Sequence, residues 1–252
     1  MLSVDRQELL LKYVNDSKTA TVAELSDFLK ASKATVRRDI DELSSKGLLQ
    51  KTYGGAVSFF SMLAVEVPSN EKSTLNVEEK KRIGAVAAAL VKENDIIALD
   101  SGTTTLEIAR HLNDKKVTVI TNDLKIAMEL APKNTVTLYL AGGLVEPNVY
   151  SASGKATEDF FSRLRADKSF LGADAISVQS GVTNRTLQEV PVKRAIAMVG
   201  KVKVLVLDHT KFEREVFAKI GLLDQLDAII TDAIDPYSRE KFEEMGIKII
   251  LA

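Results

Sequence analysis

An apolar run at residues 96–99 breaks into Asp100, Ser101, Gly102, Thr103, Thr104 and Thr105, and a helical pattern follows at once. That order of residue types suits anion binding. A glycine lets a ligand approach the backbone, threonine hydroxyls donate hydrogen bonds, and the first turn of a helix presents free N–H groups at the positive end of its dipole. No lysine follows at P-loop spacing and no G-x-G-x-x-G occurs, which argues against a nucleotide and favours a phosphomonoester. Other apolar runs end in similar groups: Asn122 after residues 117–120, Gly142 and Gly143 after 136–140, Asp174 after 169–171, Asp208 and Lys211 after 202–207. Asp174, Asn122 and Asp208 can hydrogen-bond sugar hydroxyls, and Lys193 or Lys211 can add charge. Glu189, four residues before Lys193 at a helix start, reads alone as half of a surface ion pair.

A second constellation lies near the N-terminus, in S-K-A-T-V-R-R-D at residues 32–39. At 100° per residue, Val36, Ile40 and Leu43 form one apolar stripe. Ala34 and Arg38 lie nearly opposite, with Thr35 and Arg37 on the shoulders. Slim polar residues with guanidinium groups are what a helix in the major groove of DNA needs. The competing reading is a solvated face in which Asp39 and Asp41 neutralise the arginines. The surroundings favour DNA.

Those groups require elements to hold them. The spacing predicts an opening helix from about Ser3 that buries Leu10, Tyr13 and Val14. T-V-A-E at residues 21–24 is a capping box for a second helix, which ends at Ala31. Ser32 caps a third helix over residues 33–46, with Gly47 as its stop. Two short helices on so tight a joint are a helix-turn-helix. Residues 48–57 then read as strand, glycine turn and return strand, a wing that carries Lys51 and Tyr53. Residues 58–76 lack a sustained period and break at Pro68, so they read as a linker, although Phe59, Phe60, Met62 and Leu63 suggest that it docks on something. The E-E-K-K-R run at residues 78–82 reads as the solvated start of the next helix. From residue 77 on, seven β-branched apolar runs alternate with helical patterns, which predicts an α/β domain with a mostly parallel sheet. In such sheets the carboxyl ends of the strands line one crevice, so the polar strand ends should converge on a ligand.

Composition sets the outer limits. The chain has 252 residues, 45% of them hydrophobic, and 34 basic against 35 acidic side chains. A net charge of −1 gives no bulk attraction to DNA or to anionic membrane. Residues 1–57 carry nine basic and eight acidic groups, but residues 30–51 carry six against three. The positive charge is local to the reading helix and wing. So weak a field predicts that several heads must act on one DNA. There are no cysteines and only two histidines, His111 and His209, which removes thiolate chemistry and leaves metal binding poorly supplied. No catalytic residue, metal or cofactor is expected. With no long apolar stretch and no signal-type segment, a cytoplasmic protein without membrane contact is expected.

Over nearly its whole length the sequence resembles the DeoR family of bacterial transcriptional regulators. The resemblance rests on V-A-E-L at residues 22–25, S-K-A-T-V-R-R-D-I at 32–40, Y-G-G-A at 53–56, E-E-K at 78–80, D-S-G-T-T at 100–104, T-N at 121–122, A-G-G at 141–143, F-L-G-A-D at 170–174, E-V-P-V-K-R at 189–194, D-H-T-K-F at 208–212 and I-T-D at 230–232. It implies a winged helix-turn-helix joined to a sensor domain similar to ribose-5-phosphate isomerase. There Gly102 to Thr105 would hold a sugar phosphate, and Asp174, Glu189 and Lys193 would match the isomerases' acid-base region. It also implies a homodimer or homotetramer that represses a sugar or polyol catabolic operon and is released by a phosphorylated sugar.

The expectation is therefore a DNA-binding regulator with three parts: a winged helix-turn-helix at residues 1–57, a linker at 58–76, and a sensing and oligomerisation domain at 77–252. Double-stranded operator DNA would meet Ser32, Lys33, Thr35, Arg37, Arg38, Lys51 and Tyr53. Two alternatives stay open, an activator with the same sensor and a phosphosugar isomerase. Against the isomerase, the chain lacks the glycine run such enzymes place before their glutamate, near Gly181 here. The identity of the sugar and the operator sequence are not written in the chain.

Overall fold

The structure is a computed structural model that describes residues 3–46, 48–58 and 67–252. Gly47 and the apolar residues Phe59, Phe60, Met62 and Leu63 lie outside the described residues. The chain divides into two compact units, Met1–Val65 and Glu66–Ala252.

In the first unit the helices Ser3–Ser17 (α1), Val22–Leu29 (α2) and Lys33–Ser45 (α3) enclose Leu10, Val14, Leu25, Leu29, Val36, Ile40 and Leu43. Thr21 caps α2 as its sequence promises. Its hydroxyl accepts from the Glu24 N–H at 3.2 Å, and its own N–H donates to Glu24 Oε2 at 2.7 Å. Lys30 turns into the left-handed region (φ 49°) to end α2. Ser32 Oγ accepts from the Thr35 N–H at 3.2 Å to start α3 two residues later. Strands Leu49–Thr52 (β2) and Gly55–Ser58 (β3) form the wing, and Thr19–Thr21 (β1) adds a third antiparallel strand beside β3.

The second unit is built on seven parallel strands. In spatial order they are Lys248–Leu251, Ala228–Thr231, Gly200–Val206, Ala166–Leu171, Ile96–Leu99, Val117–Thr121 and Val136–Leu140. Both faces of the sheet are covered, which is why most of these strands read as continuous apolar runs. Helices Val77–Ala89, Thr103–Arg110 and Leu124–Leu130 bury Ile83, Ala87, Leu106, Ile108, Ile126 and Leu130 on one side. Helices Lys155–Ser162, Glu189–Val199 and Pro236–Glu244 bury Phe161, Ile196, Ala197 and Phe242 on the other. Chain order reverses between the neighbours Ile96–Leu99 and Ala166–Leu171, so the topological switch point lies at the ends of these two strands. A small antiparallel sheet of Ala175–Ser177, Gly181–Asn184 and Ala218–Gly221 is not legible in the sequence. Its strands have three or four residues, and all of Gly181–Asn184 is buried, so it shows no alternation.

Candidate functional site

A cavity opens at the switch point. Its wall includes Ser101 to Thr105 beyond one strand and Gly172 to Asp174 beyond its neighbour. Gly102, at φ 152° and ψ 163°, holds a conformation open essentially to glycine alone and starts the helix Thr103–Arg110. Thr105 is buried and ties its hydroxyl back to the Gly102 carbonyl at 2.9 Å, which fixes the loop. The Gly102 N–H is already turned to the Asp123 carboxylate at 3.3 Å. Burial raises Asp123 to about 6, against the pull of the helix-capping N–H groups of Ile126 and Lys125.

The charged groups around this loop are nearly all paired. Lys193 Nζ lies 2.6 Å from Asp100 Oδ2, and both side chains are buried. Burial works against the Lys193 charge, but Asp100 and Glu189 hold it protonated. Asp174 Oδ1 meets Lys72 Nζ at 3.0 Å, and its Oδ2 accepts the Arg185 N–H at 3.1 Å. Burial opposes ionisation of Asp174, yet Lys72 and Arg185 outweigh it and hold the carboxyl below its usual range. Glu189 accepts from Asn184 Nδ2 at 2.5 Å, Thr186 Oγ1 at 3.3 Å and Ser151 Oγ at 3.5 Å. Asp208 accepts from the Thr210 N–H and hydroxyl, and from Asn76 Nδ2 at 3.0 Å.

Two cations on the cavity wall differ. Lys80 is buried with no carboxylate bonded to it, and its ammonium donates to the carbonyls of Lys72 and Leu75. Desolvation, opposed by Asp208 and helped by Lys211 and Lys72, lowers it to about 8. Lys211 also lines the cavity and makes no ion pair among the described residues.

On the first unit, Lys33, Arg37 and Arg38 are exposed, while Val36 and Ile40 are buried behind them. The aspartates that could have neutralised the arginines are engaged elsewhere. Asp39 is buried against Arg6, with Nε–Oδ2 at 2.6 Å and Nη2–Oδ1 at 3.0 Å, and Asp41 binds Lys51 at 2.5 Å. Tyr53 is fully exposed at the tip of the wing.

Residues 6–61 match the DeoR-like helix-turn-helix domain and residues 75–233 match the DeoR C terminal sensor domain. The chain belongs to the DeoR family of DNA-binding transcriptional regulators. Curated DeoR relatives run its full length: the HTH-type transcriptional regulator GlpR of Haloferax volcanii is 34% identical over 99% of this chain and 98% of that protein. GolR of Listeria innocua is 32% identical over all of both chains. The glycerol-3-phosphate regulon repressor of Escherichia coli is 31% identical over 94% of each. Among solved structures, ribose 5-phosphate isomerase A of Methanocaldococcus jannaschii aligns with 54% of this chain and 55% of its own at a TM-score of 0.41 and 16% identity.

Within this DeoR sensor the cavity gathers Ser101, Gly102, Thr103, Thr104, Thr105, Asp174, Glu189, Lys193, Asp208 and Lys211. Four residues expected there line no part of its wall. Asp100 lies beneath, fully buried. Asn122 is turned inward, donating to the Ala152 carbonyl at 2.9 Å. Gly143 serves packing, since a Cβ there would lie 2.2 Å from Thr157 Oγ1 and 2.5 Å from the Ser153 carbonyl, while Gly142 has open space beside it and its carbonyl accepts from Thr157 Oγ1 at 2.9 Å. Thirteen further residues join the wall, the charged or amide-bearing Lys72, Asn76, Lys80 and Asn184 among them. Lys72 and Asn76 come from the stretch read as linker, whose last eleven residues belong to the second unit and include the helical turn Ser69–Lys72. One turn is too short to show a period. Lys80, expected to be solvated in the E-E-K-K-R run, is buried instead, and the signal overlooked is the stripe it shares with Ile83, Gly84, Ala87 and Ala88. No helix among the described residues is long and apolar enough to cross a membrane.

Proposed function

We propose that this DeoR regulator represses a sugar or polyol catabolic operon and leaves its operator when a small phosphorylated sugar enters the sensor cavity. One observation carries the reading: Lys80 and Lys211 face the cavity without a carboxylate partner, beside the helix start at Thr103. Ammonium groups free of ion pairs beside free helix N–H groups favour an anionic group, and the carboxylates of Asp174 and Asp208 on the same wall favour hydroxyls next to it. Asp174, Asp208 and Asn184 surround the same space with groups that bond hydroxyls. A cavity of about 120 Å³ holds about four waters at ~30 Å³ each, which favours a small ligand over a nucleotide.

DNA reading is assigned to residues 1–57, through Ser32, Lys33, Thr35, Arg37, Arg38, Lys51 and Tyr53, with Lys51 sharing its charge with Asp41. A near-neutral chain with one locally basic helix needs several heads per operator, so the working form is a homodimer or homotetramer in the cytoplasm. Binding without turnover is the better reading of the cavity. Glu189 is saturated with donors and Lys193 is locked to Asp100, so neither is free to move a proton. A gel shift on the gene's own upstream region, titrated with sugar phosphates, tests the proposal. A specific complex dissolved by one of them is expected, and no specific complex with any native promoter would sink it.

A further inference from the structure

The ten residues 67–76 run across the cavity, and little of their own holds them there. Ser69 is the one buried residue among the ten. One backbone hydrogen bond joins their N–H groups to the rest of the unit, from Ser69 to the Asn148 carbonyl at 2.8 Å, while those of Lys72, Ser73, Thr74 and Leu75 close within the strap. The Asn76 carbonyl also accepts the Lys80 N–H at 3.0 Å, and side chains add further ties. Lys125 reaches Ser69 Oγ at 2.9 Å and Asn70 Oδ1 at 2.8 Å. Lys72 meets Asp174, Asn76 meets Asp208, and Lys80 donates to the carbonyls of Lys72 and Leu75. Asn76 sits in the left-handed region at φ 49°, which asparagine takes more readily than other non-glycine residues, and starts the helix Val77–Ala89.

Asp174, Asp208 and Lys80, the groups that hold the strap, are also the groups offered to a ligand. We infer that residues 67–76 are a latch closed by the empty site and opened by the effector. This rests on the sugar-phosphate reading of the cavity. A phosphate dianion is a stronger partner for the Lys80 ammonium than two neutral carbonyls, so binding withdraws Lys80 from the strap. A sugar hydroxyl on Asp208 competes with the neutral amide of Asn76, and at Asp174 it is the phosphate that competes, by drawing on the Lys72 ammonium. A segment with so few buried contacts then opens locally without unfolding the domain. In sequence the strap is joined through residues 59–66 to the DNA-binding unit. Sensing here means that ligand and strap exclude one another.

Hydrogen exchange on the full-length chain, with inorganic phosphate as the probe, decides the matter. In the latched state the N–H groups of Ser69, Lys72 and Ser73 are bonded and protected. Saturating phosphate is expected to speed their exchange while that of the strand Ala166–Leu171 stays slow. D174N without phosphate is expected to speed it about tenfold, the loss of one charge-assisted contact, and K72Q should act likewise if the change at Asp174 disturbs folding. Phosphate on D174N should open the strap furthest. Slower exchange with phosphate would make the strap a clamp that closes on ligand and overturns the latch, as would unchanged exchange in both variants. Thermal midpoints taken in parallel separate the two ideas. A midpoint that phosphate does not raise counts against the cavity reading, while the variants still decide whether Asp174 holds the strap.

Discussion

Lys80 is the group in the cavity with the most to gain from an anion. Burial lowers it to about 8 from the usual 10.5, so between those values the unfolded chain binds the extra proton and stability rises with pH. Below pH 8 the ammonium is charged in both states and its desolvation cost is fully present. An anion reverses the preference by favouring the charged form. Phosphate affinity is therefore expected to fall as pH rises through about 8, where phosphate is already a dianion, and binding there should take up a proton. Calorimetry in buffers of different ionisation enthalpy reads that uptake directly, and a pH-independent affinity between 7 and 9 would remove Lys80 from the site. On the DNA side, Arg38→Ala should lower operator affinity and reduce the salt slope by about one with an unchanged thermal midpoint. Asp39→Ala should lower the midpoint of the first unit, because it strips the partner from Arg6. If both variants behave alike, the division between reading and structural charges on helix α3 is wrong.

At the level of elements, local chemistry decides more than overall pattern. Thr21→Ala removes the hydroxyl that accepts from the Glu24 N–H, the side-chain half of the capping box at Thr21, and should cost about 1 kcal/mol, measured by denaturant unfolding of the full chain. In the A-G-G segment, Gly143→Ala should cost about 2 kcal/mol through overpacking, because its Cβ would press on the Ser153 carbonyl, whereas Gly142→Ala meets nothing within 4 Å and should be near neutral. Equal losses at both glycines would restore a ligand-facing role for that loop. These cases show what the sequence makes legible. Caps announce themselves within four residues, and buried parallel strands announce themselves as apolar runs, so the reading helix and the seven-stranded sheet follow from the chain. Polar strand ends pointed to the cavity, but Asn122 and Gly142 look the same in sequence as Ser101 and Asp174. What separates them is whether a neighbouring carbonyl or hydroxyl has already claimed the group. Lys72 was hidden for another reason: its partner, Asp174, lies 102 positions away.

For the whole molecule, charge is arranged by compensation. In the first unit the buried Asp39 and the wing-facing Asp41 are answered by Arg6 and Lys51, which leaves Arg37 and Arg38 exposed toward solvent. In the second, Asp100 with Lys193 and Asp174 with Lys72 cancel beneath and beside the cavity, which leaves Lys80 and Lys211 beside Glu189 and Asp208. In a chain of net charge −1, cations outside ion pairs among the described residues thus stand both on α3 and on the cavity wall. The parallel sheet has a consequence for how such a protein can change. Its strands are sealed on both faces by apolar packing, and the cavity is lined mainly from loops, the strap and helix starts beyond the strand ends. Substitutions that alter ligand preference can therefore accumulate at those rims without repacking the core or touching α3. One scaffold can be retuned from one metabolite to another while its operator stays the same.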